Sequence, residues 1–320
     1  MHYPQSDIEK PLTRKIVTSC FDNLANFHIN KNRGYTQLEP GKLNAQFFSA
    51  SLGNVEIIKE VLNVGARIEA APNSAFIPFA YSLPTSGQYH FCGRAGSNNS
   101  FTLASGGVWD MSFNDRIEYA ASVFNKEYFF ENYETLKGRV YPKQYLISQL
   151  TPCEGLNGIH YFYGVSNILT WLLSNPQILN YPDVIRLLCS QVFQLTVDAL
   201  PHTESVFTLK ETSKRTKGVR RVIEYLQVHA SELPDIQMLC TIAGISERSL
   251  QYGFIDSLGT TPIQYLRLVR LNGARSDLLA AQKDKVSDVA MRWGFLELGR
   301  FSKEYKKLFH ELPSKTISSA

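Results

Sequence analysis

Arg248, Gln251 and Tyr252 fall on the polar face of one short amphipathic helix, and Arg300 and Lys303 fall on the polar face of another. Their chemistry is recognition rather than turnover. A guanidinium can pair with guanine, a glutamine amide with adenine, and cations at a surface pair with phosphate. The motifs that would signal turnover are missing: the chain contains no GxxxxGK[ST], HExxH, GxSxG or CxxC. The histidines His2, His28, His90, His160, His202, His229 and His310 are scattered, and His90, Glu69 and Glu118 have no ligand-like spacing. The sequence therefore leads us to expect no catalytic residue, no metal and no cofactor.

Two similar stretches position those polar faces. Met238–Phe254 reads MLCTIAGISERSLQYGF and Val286–Tyr305 reads VSDVAMRWGFLELGRFSKEY. In each, a small residue (Cys240, Ala290) precedes a turn glycine (Gly244, Gly294) by four positions, so two helices can cross closely at a turn that suits glycine. Ile245, Leu250 and Phe254 then share one face of the following helix, as do Phe295, Phe301 and Tyr305 in the second stretch. The pattern predicts two successive helix-turn-helix units. Between them Pro262–Ala281 reads as one long helix, capped by Thr261 and begun by Pro262. Its length of roughly 30 Å is close to the ~34 Å between successive major-groove faces of B-DNA.

At GISERSLQYGF, LGTTPIQYLRLVRLNGAR, AMRWGF and RFSKEYKKLF with Pro313, the chain resembles the DNA-binding domain of the AraC/XylS family of bacterial transcription regulators. Gly299 stands where that family usually has serine, and His310 and Leu312 replace the usual glycine and serine of the closing turn. The resemblance implies base contacts by Arg248, Gln251 and Tyr252 in the first unit and by Leu298, Gly299, Arg300 and Lys303 in the second. Ser246, Thr261, Arg267, Lys306 and Lys307 are candidates for phosphate contacts, which set register rather than sequence.

Composition agrees with two domains. The 320 residues are 44% hydrophobic and 19% charged, which suits a soluble folded chain. Residues 210–320 hold 18 Lys and Arg against 12 Asp and Glu, and the remainder holds 15 against 17, so the positive charge collects beside the helix-turn-helix units. The cysteines Cys20, Cys92, Cys153, Cys189 and Cys240 are odd in number and scattered, as expected of small buried groups in a reducing cytoplasm. No apolar run approaches membrane-spanning length and the N-terminus has no signal-peptide core, so neither export nor a membrane span is expected.

Short strands in the N-terminal part argue for an antiparallel sandwich or barrel, and together with the resemblance they imply the fold class α+β, with a cupin-like N-terminal β-barrel, trailing helices, and an all-α C-terminal domain of two helix-turn-helix units. Strand-like runs occur at Leu43–Ser51, Val55–Leu62, Ala66–Ala71, Phe76–Ser82, Tyr89–Cys92, Gly107–Ser112 and Ile117–Phe124. Helical patterns cover Ile16–Phe27, Lys126–Leu136, Tyr141–Leu150, Gly155–Leu173 and Asp183–Leu200. These divide the chain into residues 1–200, a linker over 201–217 and a C-terminal domain over 218–320, and the resemblance implies sensing and dimerisation for the first and DNA binding for the last. Phe47, Phe79, Tyr81, Phe91 and Trp109 could line an apolar ligand pocket, although an ordinary aromatic core is the simpler reading.

The resemblance thus implies a cytoplasmic regulator that activates through contact with polymerase, with repression as the alternative. Its partners would be double-stranded promoter DNA, a second copy of the chain through helices between Val140 and Leu200, RNA polymerase and a small-molecule effector, with no membrane. Those helices could instead only cover the barrel. The alternatives are a regulator without an effector, controlled by protein contacts, and an enzyme domain fused to a DNA-binding module.

Overall fold

The structure is a computed structural model and describes residues 12–28, 32–71, 73–83, 87, 89–96, 99–104, 108–142, 149–201, 213–280 and 284–317. The N-terminal elements are β1 (Leu12–Thr18), α1 (Phe21–Phe27), β2 (Arg33–Gln37), β3 (Ala45–Ser51), β4 (Val55–Leu62), β5 (Ala66–Ala70) and β6 (Phe76–Ser82). They continue with β7 (Tyr89–Phe91), β8 (Arg94–Ala95), β9 (Ser100–Leu103), β10 (Trp109–Phe113), β11 (Ile117–Asn125), α2 (Lys126–Lys137), β12 (Gln149–Pro152), α3 (Asn157–Ser174) and α4 (Pro182–Ala199). Antiparallel pairing builds a seven-stranded sheet in the order β1-β3-β4-β11-β6-β9-β12 and a five-stranded sheet in the order β2-β5-β10-β7-β8.

The seven-stranded sheet is buried on both faces, and the residue alternation says which side chain goes where. On β4, Ile58 and Leu62 point into the space between the sheets, whereas Val55 and Ile57 point towards the helices. On β11, Tyr119 and Ala121 face the other sheet while Ala120 and Phe124 face the helices. Tyr161 of α3 and Thr196 of α4 anchor this helical layer by hydrogen bonds to Ser122 Oγ at 2.8 and 3.0 Å. Of the expected sandwich or barrel, the chain forms two facing sheets, with no strand pairing from one to the other among the described residues.

Two local differences have physical causes. The helix expected over Ile16–Phe27 is α1 alone; Ile16–Thr18 completes β1, which pairs with β3 along its whole length and sets Ile16 opposite Phe47. Leu150, expected in a helix from Tyr141, lies in β12 opposite Thr102, because the exposed edge of β9 offers unpaired backbone groups.

The C-terminal domain contains α5 (Lys214–His229), α6 (Ile236–Ala243), α7 (Glu247–Leu258), α8 (Pro262–Ala280), α9 (Val286–Arg292), α10 (Leu298–Phe309) and α11 (Pro313–Ile317). Helix α5 begins ahead of the expected Val219, so the expected linker overlaps it from Lys214; residues 202–212 lie outside the described ones. No described helix is long and apolar enough to cross a membrane.

The closing turn carries the strain that the loss of a glycine implies. His310 caps α10 with φ +55°, and its N–H donates to Lys306 O at 3.0 Å. A residue with a β-carbon is disfavoured there. His310→Gly should therefore raise stability by roughly 0.5–1 kcal/mol after the greater chain entropy of glycine is subtracted. The check is the shift in denaturant midpoint of the full chain.

Candidate nucleic-acid interface

The first helix-turn-helix unit is built by caps at both ends of its turn. Asp235 accepts from Met238 N at 2.8 Å to start α6, and Gly244, at φ +67°, ends it with an N–H donated to Cys240 O at 2.9 Å. Ser246 then caps α7 by accepting from Ser249 N at 3.4 Å. Leu250 and Phe254 are buried with Val222, Leu226, Leu239 and Tyr265. Arg248, Gln251 and Tyr252 are left on the exposed face. The Arg248 guanidinium lies 5.7 Å from the centre of the Tyr252 ring, and Gln251 Nε2 donates to Glu247 Oε1 at 2.9 Å.

The second unit repeats the plan with different surface chemistry. Gly294 turns the chain at φ +72°, where a β-carbon would sit 2.6 Å from Leu233 Cδ2. Phe301, Tyr305, Leu308 and Phe309 of α10 pack with Leu271, Ala274 and Leu278 of α8. Leu298, Gly299, Arg300, Lys303, Lys306 and Lys307 are all exposed. Arg300 Nε donates to Glu304 Oε1 at 3.1 Å, and Glu304 also pairs with Arg267 at 2.5 Å. Two phosphate candidates have structural work as well. Ser246 is the α7 cap, and Thr261 starts α8 by accepting from Gln264 N at 3.3 Å while its own N–H donates to Gln264 Oε1 at 3.2 Å.

This domain is seated on the outer face of the five-stranded sheet. Asn272 of α8 grips the Gln37 backbone from both sides, accepting from its N at 2.9 Å and donating to its O at 3.0 Å. Gln37 Nε2 and Gly41 N both donate to Leu308 O at the end of α10, at 3.0 and 2.9 Å. Ser112 Oγ donates to Ser257 O near the end of α7 at 2.7 Å. Arg67, buried on β5, hydrogen-bonds Tyr265 and pairs with Glu69 at 2.6 Å and Asp110 at 3.4 Å. Burial opposes the Arg67 charge, but Tyr265, Asp110 and Glu69 outweigh it and keep the group protonated.

The five aromatic ligand candidates divide between two layers. Phe47, Phe91 and Trp109 belong to the core between the sheets, whereas Phe79 and Tyr81 belong to the core between the seven-stranded sheet and the helices. What the sequence reading missed is a polar centre between the sheets. Arg33 Nη1 reaches Glu60 Oε2 at 2.5 Å, Tyr35 OH donates to Glu60 Oε1 at 2.8 Å, and Tyr119 OH donates to Glu60 Oε2. Arg33 Nη2 also donates to Tyr119 OH at 2.9 Å, and His28 Nε2 lies 3.0 Å from Tyr35 OH. Burial opposes the Arg33 charge, yet Tyr119, Tyr35 and Glu60 hold it protonated. Burial foremost also pushes both phenols well above their ordinary range, so they stay O–H donors. The Arg33 guanidinium lies 5.4 Å from the Trp109 ring centre, and buried Trp109 Nε1 has no hydrogen-bond partner among the described residues. The available signal was Glu60, an acid at an inward position of the apolar strand VEIIKEVL.

Comparison with known proteins fits this geometry. A helix-turn-helix domain family matches residues 239–319. The probable thc operon regulatory protein of Rhodococcus erythropolis is 44% identical over 101 residues, 31% of this chain and 30% of the relative. XylDLEGF operon transcriptional activator 2 of Pseudomonas putida is 35% identical over 100 residues, 31% of this chain and 64% of the relative. The chain therefore spans less than two thirds of either curated relative. The crystal structure of a probable AraC family transcriptional regulator from Rhodopseudomonas palustris is 34% identical, covering 32% of this chain and 96% of that one, with a TM-score of 0.31.

The polar centre sets a stability test. Glu60→Ala removes the partner of a buried cation and should cost about 3–5 kcal/mol, whereas Arg33→Met combined with Glu60→Leu should recover much of that loss. Denaturant unfolding of both variants and the parent measures the difference.

Proposed function

Because its C-terminal domain belongs to the AraC/XylS family of helix-turn-helix regulators, we propose that the whole chain is a sequence-specific DNA-binding transcription regulator. The observation that carries this reading is the pair of units joined by α8, each leaving its second helix exposed on the polar face. Arg248, Gln251 and Tyr252 would read base edges from the first unit, and Leu298, Gly299, Arg300 and Lys303 from the second. Lys306 and Lys307 would contact phosphate, while Ser246, Thr261 and Arg267 would assist from their structural positions. Activation through RNA polymerase is the favoured mode, since the Pseudomonas relatives are named as activators. Relatives named as regulators also favour this reading over an enzyme domain fused to a DNA-binding module.

The N-terminal domain would sense an effector and hold two copies together in the cytoplasm. The unpartnered Trp109 Nε1, beside the Arg33 guanidinium, is a donor that a ligand's acceptor atom would satisfy. Exposed Tyr163 and Trp171 on α3 and Leu187 on α4 supply apolar surface for a second copy.

Genome-wide occupancy by the tagged chain tests the regulator reading. A few sharp promoter peaks are expected, and they should vanish in Arg248→Ala combined with Lys303→Ala. Diffuse or absent occupancy by both proteins would sink it. On an isolated promoter duplex, Arg248→Ala should cost about 1–3 kcal/mol of binding. Lys307→Ala should weaken all sequences alike and lower the salt slope by about one.

A further inference from the structure

The two exposed recognition faces differ in kind. The first carries hydrogen-bonding and aromatic groups, Arg248, Gln251 and Tyr252. The turn before α10 and the first residue of that helix instead carry Leu296, 85% exposed, and Leu298, 42% exposed, with exposed Glu297 between them. Gly299 follows, and a β-carbon there would meet nothing within 4 Å. The nearest guanidinium, Arg300, is tethered towards Glu304, one turn further along the helix. Glu304 is itself paired with Arg267, so the tether is anchored to α8. Lys306 and Lys307 lie further along α10, beyond this apolar edge, where they complement phosphate.

Among the edges displayed in the major groove, thymine alone presents an apolar group, its C5 methyl. An aliphatic side chain laid on that methyl removes apolar surface of both partners from water. The side-chain-free backbone at Gly299 lets Leu298 approach the groove floor closely. We propose that the second unit reads thymine methyl groups through Leu298, with Leu296 beside it, so that its half-site is selected by methyl contact rather than by a bidentate hydrogen bond. Glu297 adds an acceptor for a neighbouring cytosine amino group. The inference rests on the DNA-binding reading above.

The test uses the full chain and a duplex enriched by it from a random-sequence pool, at one fixed salt concentration. Deoxyuridine replaces thymine in one half of the site, then in the other, which deletes methyl groups and leaves every hydrogen-bonding atom in place. Wild-type affinity should fall about fourfold for each contacted methyl, and in one half only. Leu298→Ala should abolish that sensitivity, while Arg248→Ala should retain it. Equal affinity for thymine and deoxyuridine duplexes overturns the inference and leaves DNA binding standing. So does a deoxyuridine penalty that survives in Leu298→Ala together with Leu296→Ala. If the pool yields no enriched sequence, the regulator reading falls and the inference falls with it. The wild-type comparison needs no variant, so a folding defect in Leu298→Ala cannot mask the answer.

Discussion

Helix α8 belongs to two hydrophobic cores at once. Tyr265 and Leu266, near its start, are buried among α5, α6 and α7, and Leu271, Ala274 and Leu278, near its end, are buried among α9 and α10. One unbroken helix of 19 residues, roughly 28 Å long, therefore fixes the distance between the two exposed recognition faces. Neither unit can change its pitch relative to the other unless α8 bends or one core opens. Trp293 reinforces the rod: Gly273 leaves room for its indole, and Trp293 Nε1 donates to Asp277 at 2.9 Å.

The same helix reaches the N-terminal domain through Asn272 and Tyr265. That contact falls on one sheet whose opposite face holds the polar centre. Arg33, Ala70 and Trp109 occupy one rung across β2, β5 and β10, facing inward. Asp110, the next residue on β10, faces outward and pairs with Arg67, which holds Tyr265. A single layer of backbone thus separates the Trp109 indole from the seat of α8.

How much of this was legible in the sequence follows from what each signal measures. The helix-turn-helix units were readable because glycine spacing and apolar periodicity are local, and both agree with the tertiary packing. Strands β4 and β6 were readable to the residue, since their apolar runs are bounded by turns. Strand β1 was not: it is an edge strand with Val17 exposed, so tertiary pairing with β3 decides its state. The polar centre was hidden for a related reason. Arg33, Glu60 and Tyr119 are far apart in the chain, and only the register of the two sheets brings them together. The aromatic candidates were a partial reading, because alternation along β6 sends Phe79 and Tyr81 to the helical side of the sheet.

A rigid spacing between dissimilar reading heads has a consequence for specificity. The first unit offers directional hydrogen bonds, which discriminate steeply because an unmatched buried polar group is costly. The second offers aliphatic contact and cations, which discriminate weakly and tolerate small shifts in position. With α8 fixing the separation, two strictly directional units would have to satisfy their geometries together on one helical turn of DNA. An apolar second edge relaxes that requirement. The first unit can set register while the second gains affinity wherever a thymine methyl falls beneath Leu298.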